Sequence, residues 1–186
     1  EVIGVSEDST IIQVYETTTG LLPGEEVIGT GQPMSVTLGP GILTNIFDGI
    51  QRPLRKIAES DGAFIGRGSA VDALDTSHLW HVTVKVKEGD VLHGGDIYAE
   101  CPETESIVHK CMVPPGVSGK VTFVTKDGNY AVNDRICELL DEKGNRIPLT
   151  LCQKWPIRTP RPISGRLPCT IPLITGQRVI DSILPL

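Results

Sequence analysis

Glu100, Glu103 and Glu105 bring three carboxylates close together along the chain. Paired carboxylates perform general acid–base chemistry when burial or a neighbouring charge drives their pKa values apart. The sequence shows no buried partner for such a shift, so the three read as solvated charges beside a hairpin. His78 and His81 stand three residues apart, a spacing that would place two metal ligands together on a helix. The alternating run HVTVKVKE that begins at His81 makes a strand there, and on a strand the pair points to opposite faces. His93 and His109 are isolated and read as surface or strand residues. Gly62 to Gly68 is glycine-rich, but it is not GxxxxGK(S/T) and follows no buried strand, so it does not read as a phosphate cradle. Neither GxSxG nor HExxH occurs. The chain therefore shows no catalytic residue and no metal or cofactor site of its own.

Those residues must be held by a chain of 186 residues, long enough for one good core or two to three small ones. The apolar fraction is 39% with only 4% aromatic, so any core is built from Val, Ile and Leu. A formal net charge of −6 with dispersed Lys and Arg argues against nucleic acid, because neutralising phosphates takes clustered cations. No apolar run approaches the roughly 20 residues that span a bilayer, so direct membrane insertion is not expected. Cys101, Cys111, Cys137, Cys152 and Cys169 are odd in number and never spaced as CxxC, which suits reduced thiols in a cytosolic protein.

The 20 Gly and 14 Pro residues punctuate short strand-like runs, the pattern of a β-rich chain with many turns. Over residues 1 to 38 the run STIIQVYE, Ser9 to Glu16, alternates with period two, and a Pro-Gly turn leads to a second strand over Glu26 to Gly29. Unpaired edges are expected over Glu1 to Gly31. Residues 39 to 63 change period: Leu43, Ile46, Phe47, Ile50, Leu54, Ile57 and Ala58 recur at helical spacing. Pro53 suits the first turn of a second piece, so two short helices are expected. Strands return at His81, with Val82, Val84 and Val86 on one face. GDVLHGGDI (Gly89 to Ile97) is echoed by GNYAVNDRI (Gly128 to Ile136) 39 residues on, which implies two similar halves that cover each other's apolar faces. Both Gly89 and Gly128 are expected at positive φ. The proline-dense WPIRTPRPISGRLPCTIP crosses a surface in extended form. A final helix follows Thr175, a plausible cap, with Val179, Ile180, Ile183 and Leu184 as its apolar stripe and Pro185 at its exit.

In ETESIVHKCMVPPGVSG, residues 103 to 119, a Glu precedes Pro114 by eleven residues and a glycine-rich turn leads into a valine-rich strand. With the paired glycine turns, this makes residues 80 to 150 resemble the biotinyl/lipoyl hammerhead barrel. Carriers of that family keep their modified lysine three residues after the Glu. Here that place holds Ser106 counted from Glu103, or Val108 counted from Glu105, and Lys110 comes two to four residues too late. The fold survives this comparison; a swinging arm does not, and a carrier-like module that has lost its lysine stays as the alternative reading.

Six phrases, in order, carry a more specific resemblance over essentially the whole chain: IIQVYETTTGLLPGEEVIGTGQPMSVTLGPGIL, IFDGIQRPL, GGDIYAE, HKCMVPPGVSGKV, WPIRTPRPISGRLP and PLITGQRVIDSILP. They look like the catalytic A subunit of V-type and archaeal A-type rotary ATPases. The resemblance implies a mainly β fold. Residues 1–38 would be the latter part of the N-terminal β-barrel and 39–63 a helical linker. Residues 64–152 would be the non-homologous, or bulge, domain with its hammerhead-like barrel at about 80–150, and 153–186 would lead into the nucleotide-binding domain. It also implies a parent protein that uses ATP and Mg²⁺ in H⁺ or Na⁺ transport, cytoplasmic and peripheral to the membrane. Its partners would be B subunits in an alternating hexameric head and the peripheral stalk. The stretch itself would be non-catalytic, without nucleotide, and a scaffold toward the stalk. Candidate contacts are Thr104, Glu105, Ser106 and Ile107 in one hairpin and Lys126, Asp127 and Asn129 in another loop.

Overall fold

The computed structural model describes residues 1–62, 64–66, 68, 71–163, 165–168 and 170–183. It is mostly β, with two short helices. β1 (Val2–Val5) and β2 (Thr10–Ile12) form an antiparallel hairpin. The strand expected over Ser9 to Glu16 thus shrinks to three residues, and none forms over Glu26 to Gly29, where Val27 and Ile28 are 75% and 78% exposed. Gly24 does turn the chain, at φ 95°. The β1–β2 hairpin is itself largely exposed, and a pair so marginal does not recruit a further run that has no strand partner among the described residues.

β3 (Ser35–Leu38) leads into the linker, where one helix forms instead of two: α1 (Leu54–Asp61), with Pro53 at its N-cap and Ile57 buried. The first helical turn is lost to local competitors. Gly41 and Gln51 have φ of 100° and 65°, and the Asp48 carboxylate takes the N–H groups of Ile50 and Arg52 at 3.1 and 2.8 Å. A short carboxylate that captures nearby backbone donors offers them an alternative to the helix ladder. Burial pushes the Asp48 carboxyl up, but these bonds and the Arg52 guanidinium outweigh it and hold the group below its ordinary value.

The largest body follows in eight strands: β4 (Trp80–Val84), β5 (Val91–Leu92), β6 (Ile97–Pro102), β7 (Val108–Met112), β8 (Gly119–Val124), β9 (Gly128–Tyr130), β10 (Cys137–Leu140) and β11 (Arg146–Leu149). They make two four-stranded antiparallel sheets, ordered β11-β10-β8-β5 and β7-β6-β4-β9. Replacing each of β4 to β7 by the strand four places on turns the second order into the first, with β5 and β9 exchanged between sheets. The echo in the sequence is therefore a quasi-twofold repeat in the fold. Val82, Ala99, Cys101, Val113, Val121, Ile136, Cys137 and Leu139 fill the space between the sheets, and Val84 and Val86 pack against them, so the alternation from His81 is realised.

The two echoed turns are made alike by an aspartate: Asp96 Oδ2 accepts from the His93 N–H and Asp134 Oδ2 from the Ala131 N–H, each at 2.8 Å. Gly89 has φ 97° as expected; Gly128 does not have positive φ, because it already belongs to the extended β9. Opposite the core, Glu138 is a buried carboxylate that receives Arg135 at 2.8 Å and Arg146 at 3.3 Å, and the Arg135 guanidinium lies 4.4 Å from the centre of the Phe123 ring.

β12 (Gln153–Pro156) then pairs antiparallel with β3, from Gln153 opposite Leu38 to Pro156 opposite Ser35. Beyond it the proline-dense segment holds no regular element among its described residues until α2 (Arg178–Ile183). Thr175 Oγ1 accepts from the Gln177 N–H at 3.2 Å and donates to Asp181 at 2.8 Å, so it braces the start of α2. Val179 and Ile183 are exposed; Leu184 and Pro185 lie outside the described residues.

The difference between the two echoed glycines is measurable. Gly89→Ala forces a Cβ into the left-handed region and is expected to cost about 1–2 kcal/mol. Gly128→Ala places its Cβ in ordinary contact with the Tyr130 ring, at 3.4 Å, and is expected to stay within about 0.5 kcal/mol of the parent. Urea unfolding of the two variants side by side checks this, and equal losses would contradict it.

Candidate functional site

The chain leaves the linker into the two-sheet body and returns from it through one place, the β3–β12 ribbon. Four contacts fasten this neck. Gln51, at its left-handed φ, aims its side-chain amide along β3: the Thr37 N–H donates to Gln51 Oε1 and Gln51 Nε2 donates to the Thr37 carbonyl, both at 2.6 Å. The amide thus occupies the edge where another strand would bond. Gly39 lies against Cys152 and Leu74, where a Cβ would come within 2.8 and 2.9 Å of their side chains, so the crossing is open only to glycine. Arg52 binds Asp48 at 2.7 Å and Glu16 at 2.9 Å, which ties the linker to the residues after β2.

The fourth contact is Glu103. Its side chain is only 3% exposed; Oε1 accepts from the Gly41 N–H at 2.7 Å and the Leu43 N–H at 3.1 Å, and Oε2 lies 3.8 Å from His109 Nδ1. This corrects the reading of the three carboxylates as solvated. Glu105 is exposed and Glu100 pairs with Lys85 at 2.9 Å, but Glu103 is withdrawn from water and has backbone partners from a segment some sixty residues earlier. His109 is likewise not isolated: burial holds its imidazole below the ordinary value of 6.5, against the upward pull of Glu103.

Beside this contact runs a groove of about 680 Å³. One wall is the linker from Leu38 to Leu43, the opposite one β7, and the floor Pro148 to Lys154. Tyr98 reaches under it to bond the Thr150 carbonyl, and burial pushes its phenol well above the ordinary range. Cys101, Cys111, Cys137 and Cys152 are free thiols, and Cys137 is pushed up to about 11 by burial; Cys169 lies outside the described residues. A thiol raised in this way is a poor nucleophile. The groove has the size of a binding site, and its lining shows no nucleophile–base pair among the described residues.

The remaining sequence candidates fall elsewhere. Thr104 to Ile107 form the β6–β7 hairpin, with Thr104 Oγ1 accepting from the Ile107 N–H at 3.1 Å. Ser106 sits exposed in that hairpin, Val108 opens β7 and Lys110 lies within it, so no lysine occupies the tip of this hairpin and the carrier reading is not supported. Lys126 and Asp127 belong to the β8–β9 turn and Asn129 to β9. Asp127 receives the Val84 N–H at 2.8 Å and Asn129 Oδ1 lies 3.2 Å from His81 Nδ1. Thr83 pairs with Glu100 and Val82 with Gly128, so the hairpin lies at the Trp80 end of β4 and the turn toward its Val84 end. The fold does not bring the two stretches together. His78 packs edge-on to Trp80 at 4.5 Å, while His81 faces Asn129, and the described residues contain no group of three metal-ligating side chains. Parts of the Gly62 to Gly68 stretch, Ala63 and Arg67, lie outside the described residues. The Glu103 contact and the Gln51 amide were not found from sequence; the only signal for either was an uncommon polar residue between glycine- and proline-rich turns.

Glu103→Ala strands two linker N–H groups and is expected to cost about 2 kcal/mol, with Glu103→Gln, which keeps one acceptor, losing about half of that. Selective loss of amide-exchange protection at Gly41 and Leu43 would mark the cause. Because His109 is protonated less readily when folded, acidification below 6.5 loads the unfolded state with the proton first. Its contribution is intact above that pH and is lost as pH falls below it. His109→Gln is expected to flatten the acid side of the stability–pH curve, and an unchanged curve would remove His109 from that role.

Comparison with known proteins agrees with this architecture. Residues 71–158 match the family model described as ATP synthase alpha/beta subunit barrel-sandwich domain, and residues 1–31 match the ATP synthase alpha/beta family, beta-barrel domain. The chain is 54% identical over 185 residues to the A subunit of the A-type ATP synthase of Methanopyrus kandleri, covering 100% of this chain and 31% of that protein. It is 53% identical over 186 residues to the V-type ATP synthase alpha chain of Halothermothrix orenii, covering 100% and 32%. It is 49% identical over 185 residues to the A subunit of the A-type ATP synthase of Pyrococcus abyssi, covering 100% and 18%. The chain thus spans a third or less of the length of the curated relatives it matches. With identity near one half from end to end, and with both strand-rich parts matched, this chain belongs to the family of A subunits, or alpha chains, of A-type and V-type ATP synthases.

Proposed function

We propose that this stretch of the A subunit is a non-catalytic scaffold within a rotary machine that couples ATP hydrolysis or synthesis to H⁺ or Na⁺ transport. The observation that carries the proposal is the single fastened neck: a two-sheet body joined to its linker by a paired ribbon, a glycine crossing and a buried carboxylate can bear load without a hinge. The division we infer is the end of an N-terminal barrel at 1–38, a linker at 39–63, the inserted body at 64–152 and a lead toward a nucleotide-binding part at 153–186. ATP and Mg²⁺ would be handled by that other part of the parent protein. Phosphate binding needs backbone N–H groups at a helix start with a P-loop lysine, and no GxxxxGK(S/T) lies in these residues.

In this reading the partners are B subunits, alternating with A subunits in a hexameric head, and the peripheral stalk, which resists rotor torque. The location is cytoplasmic, peripheral to the membrane; no described helix is long and apolar enough to cross one. The exposed hairpin Thr104 to Ile107 is the preferred stalk contact, because Asp127 and Asn129 already hold Val84 and His81.

The direct test is titration of the purified chain with a stalk heterodimer of a relative. Binding at about 10–50 μM is expected, weakened severalfold by Ile107→Asp and unaffected by Asp127→Asn. No binding in that range would sink the scaffold role. In parallel, phosphate release from ATP by the chain is expected to equal that of a heat-inactivated control.

A further inference from the structure

The groove beside Glu103 has a feature that the scaffold reading does not use. β7, one of its walls, is an edge strand: its sheet runs β7-β6-β4-β9, so one side of β7 bonds β6 and the other faces the groove. An open strand edge is a template for another extended chain. At about 3.4 Å per residue, the five residues Val108–Met112 offer roughly 17 Å of edge, room for a segment of about five residues. The volume of about 680 Å³ falls within the usual range for binding sites.

The lining selects the occupant. Ile42, Leu43, Met112 and Pro148 make apolar walls. Lys110, Lys154 and Arg161 supply three cations that have no ion-pair partner among the described residues, and Arg161 is held over the Trp155 ring at 4.5 Å. The one carboxylate in the lining, Glu103, is already taken by two backbone N–H groups. This cationic groove sits on a chain whose formal net charge is −6, so it opposes the field of the rest of the molecule. A lysine on an edge strand also serves as a simple guard against strand pairing. A guard needs neither an apolar trough alongside it nor two more cations from β12 and the segment beyond.

We infer that the groove between β7 and Pro148–Lys154 binds an acidic polypeptide segment in extended form, added as a fifth strand to the edge of β7. Backbone groups of β7 hold its main chain, apolar side chains on one face of the segment enter the trough, and carboxylates on the other meet Lys110, Lys154 and Arg161. The groove borders the hairpin assigned to the stalk and shares Ile107 with it, but the inference does not rest on that assignment.

The test uses the 186-residue chain and a fluorescein-labelled hexapeptide of alternating Glu and Val, followed by anisotropy at low and moderate salt. Expected is saturable binding that weakens with salt, and about fivefold loss on Lys110→Glu or Arg161→Glu, more for the pair together. Lys126→Glu, on a turn outside the groove, is expected to change nothing. These are surface substitutions that leave the fold intact, which the unfolding midpoint checks. Isotope-labelled peptide should show cross-strand contacts to the amides of Val108–Met112. Equal binding of a Lys–Val peptide, insensitivity to Lys110→Glu, or contacts to β11 instead of β7 would each overturn the inference. Equal displacement by dodecanoate would overturn it in favour of small amphiphilic anions, and equal displacement by single-stranded nucleic acid would overturn it in favour of polyanions.

Discussion

Everything in this chain hangs on the requirement that the polypeptide leave its linker and come back at the same point. The β3–β12 ribbon meets that requirement with backbone bonds, but two strands in water are marginal by themselves. The Gln51 amide completes one edge of the ribbon, and Gly39 lets the chain cross close to Cys152. The Glu103 carboxylate, withdrawn from water, is matched by two N–H groups of the linker. A buried carboxylate is tolerable only when its lone pairs are met, so the linker residues Gly41 to Leu43 are held in a non-helical path by the charge they satisfy.

The body beyond the neck owes its stability to repetition. Each half is a three-stranded sheet with one strand lent to the other half, so neither can bury its apolar face alone. The exchange explains a core built from Val, Ile, Leu, Ala and Cys with little aromatic content: small β-branched side chains from two matched sheets interdigitate without large rings to orient. It also explains why the burden of the turns falls on Asp96 and Asp134, whose carboxylates bond equivalent backbone groups in the two halves.

Many polar groups in the chain are spent on fastening. His109 faces Glu103, His81 faces Asn129, and Glu138 gathers two arginines on the outside of a sheet. The trio Lys110, Lys154 and Arg161 faces a groove whose one carboxylate, Glu103, is already bonded, and has no ion-pair partner among the described residues.

By itself the sequence determined the family, the β-rich class, the alternation from His81 and the doubled unit of the body, because these depend on local period, turn chemistry and short ordered phrases. It also showed that the place where a carrier keeps its modified lysine holds Ser106 or Val108, neither with an amine to offer. Only the tertiary structure decided where local signals lose. Leu43, Ile46 and Phe47 have helical spacing but obey Asp48 and Glu103, which claim the linker's N–H groups first. Val27 and Ile28 have strand-forming side chains but no strand partner among the described residues. Glu103 reads as a surface charge until a segment sixty residues away closes over it, and no local pattern encodes a partner at that distance.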